Sequence, residues 1–485
     1  MNTPISLEDL NELTPSLYEI PASYRADMRV SARVFTNKVM LEEIIKDNSL
    51  LQLINVATLP GIQKHALAMP DIHQGYGFPI GGVAAFAVDQ GGIISPGGIG
   101  YDINCGVRLL GVSLSATEIR PHLSRLAADL FHAVPSGVGR SGSTFLSEQD
   151  LNHILTHGAH ALVNQGFGEQ HDVDYCEENG RMKEADHTLV SQRAKERGRD
   201  QLGTLGSGNH FLEVQEVTDI YDESVAHTFG LHKGMVTVMI HCGSRGLGHQ
   251  NCTDYVRLML SKSASWGFTL PDKELACAPF KTQEGQEYYA SMCAAANFAW
   301  ANRHLIGHRV RECFTKALGP TIQVKTIYDL SHNMGKKEKH HINGIEQELI
   351  VHRKGATRAF PAGRPELPDL YQSTGHPVLI PGTMGTSSYV CVGTQAGLEQ
   401  AFGSSCHGAG RRMSRMRAKK TIHGATLREQ LEAQGIIIQC RSNAELAEEA
   451  PEAYKDVDNV VQVVQSAQLA KPVARLKPIA VIKGG

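Results

Sequence analysis

Short runs of apolar, mostly β-branched residues recur along the chain, and amphipathic or glycine-rich stretches separate them. Such runs predict strands that are buried within a sheet. We expect strands at 106–114, 235–240, 323–330, 376–380, 389–393 and 436–440. Helical spacing of the apolar residues predicts helices at 123–134 and within 285–318, and a basic helix at 410–420.

The order of these elements bears on the fold class. Strands and helices do not alternate regularly enough for a doubly wound parallel sheet, so we expect a mixed α/β (α+β) fold with buried strands and helical insertions. Polar, histidine-bearing stretches at 165–200 and 333–347 are predicted to be surface insertions. The pattern does not define domain boundaries.

Composition narrows the class of protein. The 485 residues are 41% hydrophobic, without an apolar run of 18 residues, and the N-terminus does not resemble a signal peptide. Ten cysteines without a C-x-x-C pair argue against a zinc ribbon or a secreted disulfide scaffold, so we expect a cytoplasmic protein. The net charge of −3 provides no global basic field, and any nucleic acid must therefore bind a local patch.

The common nucleotide-binding motifs are missing. Gly137, Gly139 and Gly142 match a dinucleotide fingerprint, but a helical pattern precedes them where that motif requires a strand. The chain has no phosphate-loop motif, no H-E-x-x-H and no K-x-D-G, the lysine motif of ATP-dependent nucleic-acid ligases. Glycine clusters instead adjoin His, Asp, Asn and Cys, which indicates a site assembled from loops.

A glycine-flanked turn before the 106–114 run carries two potential metal ligands. Asp102 and Cys105 stand three residues apart, so a carboxylate and a thiolate could face one cation, and a thiolate can bridge two. The alternative is a capped turn with an inert buried cysteine.

A second polar segment, LGSGNHFLEVQEV, has alternating side chains. If residues 209–213 are extended, one face carries Asn209, Phe211 and Glu213. His210 then points to the opposite face, so one strand could serve a metal on one side and a small molecule on the other. The alternative is an ordinary hairpin strand of alternating polarity.

Two further histidines, His241 and His332, each stand where an apolar strand is predicted to end. A ligand at a strand end is held firmly by the rigid backbone behind it. One histidine in such a place is more often a hydrogen-bonded core residue. Two of them, together with the three ligands above, favour a transition-metal centre, although the residue types do not choose between zinc and manganese.

His407 is a candidate nucleophile. It precedes Gly-Ala-Gly and the predicted helix at 410–420, whose backbone N–H groups would attract a phosphate. An imidazole nitrogen is a competent nucleophile towards phosphorus. Arg411 and Arg415, four residues apart, could clamp the phosphates of a nucleic acid, and Lys354 is a further candidate. The alternative is a histidine beside a solvated basic helix.

Eight segments together resemble the RtcB family of RNA-splicing ligases. In chain order they are MPDIHQGYGFPIGG, YDINCGVR, LGSGNHFLE, HCGSRGLGHQ, SHN, HRKGATRAF, PGTMGTSSY and SSCHGAGRR. The ordered set, from about residue 55 to the C-terminus, is highly specific. The resemblance implies a single large catalytic domain over 1–485, with the motifs within 65–485 and an N-terminal extension, 1–55, packed on it.

The resemblance also implies the site residues. One Mn²⁺ would be held by Asp102, Cys105 and His210, and a second by Cys105, His241 and His332. His407 would be the catalytic residue. GTP would contact Asn209, His210, Phe211, Leu212, Glu213, His332, Asn333, Pro381, Gly382, Thr383, Met384, Ser388, His407, Gly408, Ala409, Gly410, Tyr454 and Lys483.

The reaction implied by the resemblance joins an RNA 3′-phosphate or 2′,3′-cyclic phosphate to a 5′-hydroxyl through a GMP–histidine intermediate. The substrates would be tRNA halves or cleaved RNAs, and an archease-type protein is a candidate activator. Two other classes stay open at this point. They are a two-metal phosphoesterase or nuclease, and a non-catalytic RNA-binding subunit of a repair complex.

Overall fold

The computed structural model describes residues 5–137, 139, 141–142, 146–267 and 269–484. Its strands are β1 (Asn11–Thr14), β2 (Leu17–Ile20), β3 (Ser31–Phe35), β4 (His65–His73), β5 (Ile80–Ala87), β6 (Ile93–Ile94), β7 (Gly106–Ser115), β8 (Phe211–Ile220), β9 (Met235–Cys242), β10 (Ala278–Pro279), β11 (Val324–Ser331), β12 (Asn333–Ile342), β13 (Ile345–Lys354), β14 (Ala356–Arg358), β15 (Pro377–Ile380), β16 (Ser388–Gly393), β17 (Ser404–Cys406), β18 (Ile437–Gln439) and β19 (Ala470–Lys483).

The α-helices are α1 (Lys38–Ile44), α2 (Ser49–Val56), α3 (Ala116–Ile119), α4 (Leu123–Ala133), α5 (Glu148–His157), α6 (His160–Val163), α7 (Gln170–Asp174), α8 (Gln192–Gly198), α9 (Glu223–Thr228), α10 (Arg245–Lys262), α11 (Gln283–Leu318), α12 (Gln395–Ala401), α13 (Arg415–Thr421), α14 (Gly424–Ala433), α15 (Asn443–Glu448) and α16 (Val457–Ser466). The expected mixed α/β class is confirmed. All six predicted strands are present, as β7, β9, β11, β15, β16 and β18.

Two large sheets organise the fold. The first has the order β1-β2-β3-β4-β5-β13-β12, and its β3–β4 pair is parallel. The second has the order β11-β7-β9-β8-β19-β16-β15, with β18 pairing parallel to β19. Strands β1 to β3 thus join the same sheet as β4 and β5, so the N-terminal segment shares a hydrogen-bonded ladder with the rest of the chain.

The long helix α11 lies in the core and packs against α4, α5, α10 and β9. The Thr282 side chain caps its N-terminus by accepting a hydrogen bond from the Gly285 N–H at 3.3 Å, and Gly319 follows its last residue at φ +97°. Alanines at its centre let neighbouring backbones approach closely, and most of its residues from Tyr288 to Phe314 are buried. This helix backs the strands that carry the candidate site.

The helix predicted at 410–420 is shorter than expected. Helix α13 begins only at Arg415, where the Ser414 hydroxyl accepts a hydrogen bond from the Arg417 N–H. Gly410 has φ +76°, and a Cβ there would lie 2.3 Å from the Asp71 carbonyl oxygen, so the chain turns at this point. His407 is therefore not at a helix N-terminus, and the helix-dipole argument for it is wrong.

The prediction of a surface insertion at 333–347 is also wrong. Most of it forms the β12–β13 hairpin of the first sheet, whose alternate side chains are buried. Lys336 forms an ion pair with Glu177 at 2.6 Å, and Glu338 forms one with Arg353 at 2.6 Å. Glu177 is itself buried and belongs to the other predicted insertion, 165–200. Charged side chains are buried in both stretches because each has an opposite charge beside it.

Two of the predictions include residues that the structure does not describe. Residues 138 and 140, within the glycine segment at 137–142, lie outside the described residues, as do residues 1–4 of the N-terminal extension. The helix α4 precedes Gly137, in agreement with the helical pattern that argued against a dinucleotide-binding role.

Candidate active site

Four neighbouring strands of the second sheet begin or end on the same side of the sheet. A candidate metal ligand lies at that end of each strand. Cys105 immediately precedes β7, His210 immediately precedes β8, His241 lies near the end of β9, and His332 immediately follows β11. The strands are antiparallel, so the start of one lies beside the end of the next. Gly106 accordingly pairs with both Ser331 and Cys242.

Two of these side chains, Cys105 and His210, form one compact group with Asp102. The His210 Nε2 lies 2.9 Å from an Asp102 carboxylate oxygen and 3.4 Å from the Cys105 sulfur. The Nδ1 of His210 lies 3.0 Å from the Leu205 carbonyl oxygen, which fixes the ring with Nε2 towards the other two ligands. A Cβ at Gly243 would lie 2.4 Å from both Asp102 carboxylate oxygens, so only glycine leaves space for that carboxylate.

The second group shares the same cysteine. The Cys105 sulfur lies 3.3 Å from the His241 Nε2, which lies 3.1 Å from the His332 Nε2. The ligand atoms within each group lie within 4.8 Å of one another. All three side chains are buried, and the arrangement would allow one thiolate to face two cations.

The chemistry of the groups fits divalent cations. Burial, with the nearby Asp102 carboxylate, raises the pKa of the Cys105 thiol to about 12, and a bound cation would reverse that shift. Burial also lowers the pKa of His241 and His332 well below the usual value, so both imidazoles are neutral, as a ligand must be. The Nδ1 of His332 is buried without a hydrogen-bond partner among the described residues.

The Asp102 carboxyl is held in its charged form by His210. Burial alone would raise its pKa, but the hydrogen bond from His210 and the positive charge on that ring outweigh this, and the pKa falls to about 2. A charged carboxylate is therefore present throughout the neutral pH range. Carboxylate, thiol and imidazole together make a donor set suited to a first-row transition metal.

His407 lies beside this centre. Its ring centroid is 4.8 Å from that of His332. Its Nδ1 lies 2.5 Å from an oxygen of Asp71, and the same oxygen accepts the His407 backbone N–H at 3.2 Å. Asp71 is fully buried in β4. A carboxylate that holds the Nδ1 proton leaves the Nε2 lone pair available for attack on an electrophile.

A cavity of about 630 Å³ adjoins both His407 and His241. Its walls come from the β8 end, the 381–384 turn, the 407–415 segment and the C-terminal strand. This volume lies in the range of sites that enclose a small molecule. The lining residues are Asp47, His73, Gln74, Gly75, Ile80, Asn209, Phe211, Glu213, His241, Pro381, Gly382, Thr383, Met384, His407, Gly408, Ala409, Gly410, Arg411, Arg412, Met413, Ser414, Arg415, Glu449, Tyr454 and Lys483.

Two buried carboxylates have different surroundings in this cavity. Burial raises the pKa of Glu213 to about 7, although the hydrogen bond from Gln215 at 2.9 Å and the Lys483 charge oppose the rise. Glu449 has a lowered pKa: burial opposes the shift, but the charge of Lys483, with its Nζ 3.9 Å away, and two arginines outweigh it. Glu213 can therefore change its charge near neutral pH, whereas Glu449 stays ionised.

The comparison with known proteins agrees with this geometry. The model of a family described as tRNA-splicing ligase RtcB matches residues 52–484. The chain belongs to the RtcB family. The tRNA-splicing ligase RtcB of Archaeoglobus fulgidus is 50% identical over 478 residues, covering 98% of this chain and 99% of that protein.

Other RtcB relatives match almost as much of the chain. The tRNA-splicing ligase RtcB of Thermococcus kodakarensis is 51% identical over 470 residues, covering 96% of this chain and 97% of that protein. The RNA-splicing ligase RtcB homolog 1 of Entamoeba histolytica is 46% identical, covering 94% and 90%. Among the described residues, no helix is both long and apolar enough to span a membrane.

Most residues that the RtcB resemblance assigned to GTP line the cavity. Five do not: His210 and His332 belong to the two ligand groups, and Leu212 packs in the core. Asn333 donates to the Asp102 carbonyl at 3.0 Å and accepts from the Gly355 N–H at 2.9 Å. The fifth, Ser388, accepts from the backbone N–H of Gly382 at 3.1 Å and so supports the turn at 381–384.

The RNA-contact candidates Lys354 and Arg411 both have partners within the protein. The Lys354 ammonium is buried and donates to the carbonyls of Tyr76, Phe78 and Gly97, so it does not face a ligand. Arg411 donates to Glu449, to the Tyr454 hydroxyl and to two backbone carbonyls, which makes it part of the cavity wall. Arg415 also pairs with Glu449, at 3.0 Å, but its side chain is 49% exposed.

Tyr454 and Lys483 both lie in the cavity wall, although neither is expected there from its local sequence. The acidic stretch around Tyr454 is typical of a protein surface, but the Tyr454 side chain lies in the cavity wall under the Arg411 guanidinium. The apolar run before Lys483 docks as β19 beside β8, and this pairing carries the lysine side chain inward, to 4% exposure.

Sequence reasoning missed two residues of the site. Asp71 lies 336 positions before His407, and Glu449 lies in an acidic stretch that predicts solvent exposure. The only signal for Asp71 was its place in the segment MPDIHQGYG, which contributed to the resemblance. No local pattern marks Glu449, because its cationic partners come from distant segments.

Proposed function

We propose that this protein is a GTP-dependent RNA ligase that joins an RNA 3′-phosphate or 2′,3′-cyclic phosphate to a 5′-hydroxyl, with His407 as the nucleophile. Membership of the RtcB family supports an RNA ligase over the two other classes. A phosphoesterase would need the metal ligands but no nucleophilic histidine, and a non-catalytic subunit would need neither.

One observation carries the proposal. The His407 ring lies between a buried carboxylate on its Nδ1 side and a cavity large enough for a nucleotide, next to two groups of metal ligands. Metal ligands alone would suit many hydrolases. The Nε2 of this imidazole has no hydrogen-bond partner among the described residues, and this combination favours transfer of a nucleotidyl group to nitrogen.

The proposed reaction has three steps. The Nε2 of His407 forms a bond to the α-phosphorus of GTP, the bond from that phosphorus to the bridging oxygen breaks, and pyrophosphate leaves. An oxygen of the RNA 3′-phosphate then attacks the same phosphorus and releases His407. Finally the 5′-hydroxyl attacks the RNA phosphorus, loses its proton and displaces GMP. A 2′,3′-cyclic phosphate is opened by water before the second step.

The chain's own residues prepare these steps. Asp71 keeps the proton on Nδ1 and stabilises the positive charge that develops on the ring during attack. We assign Asp102, Cys105 and His210 to one Mn²⁺, and the same Cys105 with His241 and His332 to a second. Two such ions, when bound, neutralise phosphate charge and stabilise the attacking and leaving oxygens.

Guanine recognition is assigned to the buried end of the cavity. The Glu213 carboxylate can accept both the guanine N1–H and the exocyclic amine, and adenine has no N1–H. A mismatch that leaves a buried polar group unpaired can discriminate by roughly 10⁴-fold. Lys483 pairs with Glu449 and not with Glu213 in the described geometry, so its ammonium is placed to offer a hydrogen to guanine oxygen.

We also propose the RNA substrate, the cellular setting and a partner protein. The names of the relatives, tRNA-splicing ligase and RNA-splicing ligase, support tRNA halves or other cleaved RNAs as substrates. All ten cysteines are free thiols, which supports work in the reducing cytoplasm. We also propose an archease-type activating protein as a partner, and this rests on the family resemblance alone.

Incubation with α-labelled GTP and Mn²⁺ separates the candidate functions. A ligase of this kind becomes covalently labelled and releases pyrophosphate. A phosphoesterase would hydrolyse phosphate esters without carrying label, and a non-catalytic subunit would do neither. Absence of covalent label with both GTP and Mn²⁺ saturating would overturn the proposal.

A further inference from the structure

A single arginine of α11, Arg303, connects the segments that carry the metal ligands. It is fully buried behind the centre, and all five of its N–H donors have acceptors. Its Nη1 donates to the carbonyl oxygens of Asn104 and Cys242, each at 2.8 Å. Asn104 lies between the ligands of the first turn, and Cys242 directly follows the ligand of β9.

The rest of the guanidinium anchors the same arrangement. Its Nη2 donates to the Asn104 side-chain oxygen at 3.0 Å and to Asp329 at 2.7 Å. Asp329 lies in β11, three residues before the ligand His332. One rigid, planar fork therefore joins the ends of three ligand-bearing segments, a geometry that a lysine cannot reproduce.

Two local features depend on this fork. Asn104 has φ +51°, a left-handed conformation that needs support from its surroundings, and both of its side-chain groups are bonded, one to Arg303 and one to the Ala296 carbonyl. A Cβ at Gly106 would lie 2.2 Å from the Leu330 carbonyl oxygen and 3.0 Å from the Arg303 guanidinium carbon. The absence of a side chain at 106 thus lets the guanidinium approach the turn.

We propose that Arg303 is the positioning residue of the metal centre, which sets the spacing of the Asp102–Cys105 turn relative to His241 and thereby the affinity for both cations. The inference rests on the proposed two-metal site. It does not depend on the proposed RNA-joining reaction. Residues that orient metal ligands typically change metal affinity by 10–100-fold when replaced.

A matched control exists on the other side of Asp329. Arg108 is equally buried, and its Nε donates to the same carboxylate at 2.7 Å. Its other hydrogen bond, at 3.5 Å, goes to His304 and not to a ligand-bearing turn. Both arginines pair with the Asp329 carboxylate, but only Arg303 also bonds to the Asn104 and Cys242 carbonyls beside the ligands.

The test measures Mn²⁺ affinity of metal-free protein without GTP, by titration with electron paramagnetic resonance of the free ion. Arg303→Lys should bind Mn²⁺ roughly 10–100-fold more weakly than wild type, whereas Arg108→Lys should stay within about threefold. With Co²⁺, the thiolate-to-metal absorption band should weaken or shift in Arg303→Lys alone. Melting temperatures of both variants report the shared loss of stability.

The outcomes are distinguishable. Wild-type affinity in Arg303→Lys, or an equal loss in Arg108→Lys, overturns the positioning role. If wild-type protein itself binds no Mn²⁺, the proposed metal centre fails instead. If Arg303→Lys does not fold, Asn104→Gly carries the test, because it keeps the left-handed turn and loses only the side-chain bonds. Unchanged affinity in that variant would equally reject the inference.

Discussion

Replacement of Asp71 by asparagine isolates the role of the carboxylate that holds His407. One Asp71 oxygen contacts both the Nδ1 and the backbone N–H of His407, at 2.5 and 3.2 Å, while the other oxygen has no hydrogen-bond partner among the described residues. Asparagine can keep its amide oxygen at the first position and so preserve the tautomer. What it removes is the negative charge.

The size of the effect follows from that charge. When Nε2 bonds to phosphorus, the ring becomes cationic about 4 Å from the carboxylate centre, and this interaction is worth about 4 kcal/mol at an effective dielectric constant of about 20. Its loss corresponds to about 10³-fold in rate. If the amide nitrogen faces the ring instead, the Nε2 atom carries the proton and the loss is larger.

The assay is the single-turnover rate of labelled adduct formation from α-labelled GTP. Glu338→Gln is the matched control, because Glu338 is another buried carboxylate bonded to a histidine, with the His340 Nε2 at 2.9 Å, away from the cavity. We expect a loss of about 10³-fold in Asp71→Asn with Mn²⁺ binding unchanged, and a near-normal rate in Glu338→Gln. A normal rate in Asp71→Asn, or an equal loss in both variants, refutes the reasoning.

Four further predictions address other parts of the site. Cys105→Ser should lose both Mn²⁺ ions by metal analysis, since an alcohol stays protonated near neutral pH; retention of two ions would reject the shared thiolate. His407→Ala should keep Mn²⁺ but form no adduct, and the wild-type adduct should be acid-labile and alkali-stable; an acid-stable label would indicate another nucleophile. Arg415→Ala should slow RNA joining more than guanylylation, whereas Arg411→Ala should slow both steps. The reverse pattern would assign the RNA contact to Arg411 and the cavity wall to Arg415. Burial raises the Glu213 pKa to about 7, so the ionised carboxylate that accepts from guanine is depleted below that pH. The affinity for GTP should therefore rise from pH 6 to 8 in the wild type and be weak and independent of pH in Glu213→Gln. A rise retained in that variant would reject the assignment.

The strands could be predicted from the sequence because a strand that is buried on both faces of its sheet appears as a continuous apolar run. Prediction failed where burial depends on pairing between distant charges. Lys336 and Glu338 look like surface residues in a polar stretch, but their partners Glu177 and Arg353 are brought to them by the fold. Pairing of that kind leaves no local pattern.

Some residues of the site could likewise be predicted from the sequence and others could not. The candidate metal ligands could be found because His, Cys and Asp stand at strand ends, where their residue type is itself informative. The assignment of Mn²⁺ to these groups and of GTP to the cavity residues came only from the family resemblance. Asp71 and Arg303 act through partners from other parts of the chain, and only the three-dimensional structure brings them to the site.

The most direct test of the central claim uses the isolated adduct. Protein labelled from α-labelled GTP and freed of nucleotide should carry the label on His407 after peptide mapping. Mixed with an RNA 3′-phosphate and an RNA 5′-hydroxyl in Mn²⁺, without GTP, it should yield one joined RNA for each labelled protein and release labelled GMP. Label on another residue, or joining that proceeds without consuming the adduct, would contradict the account.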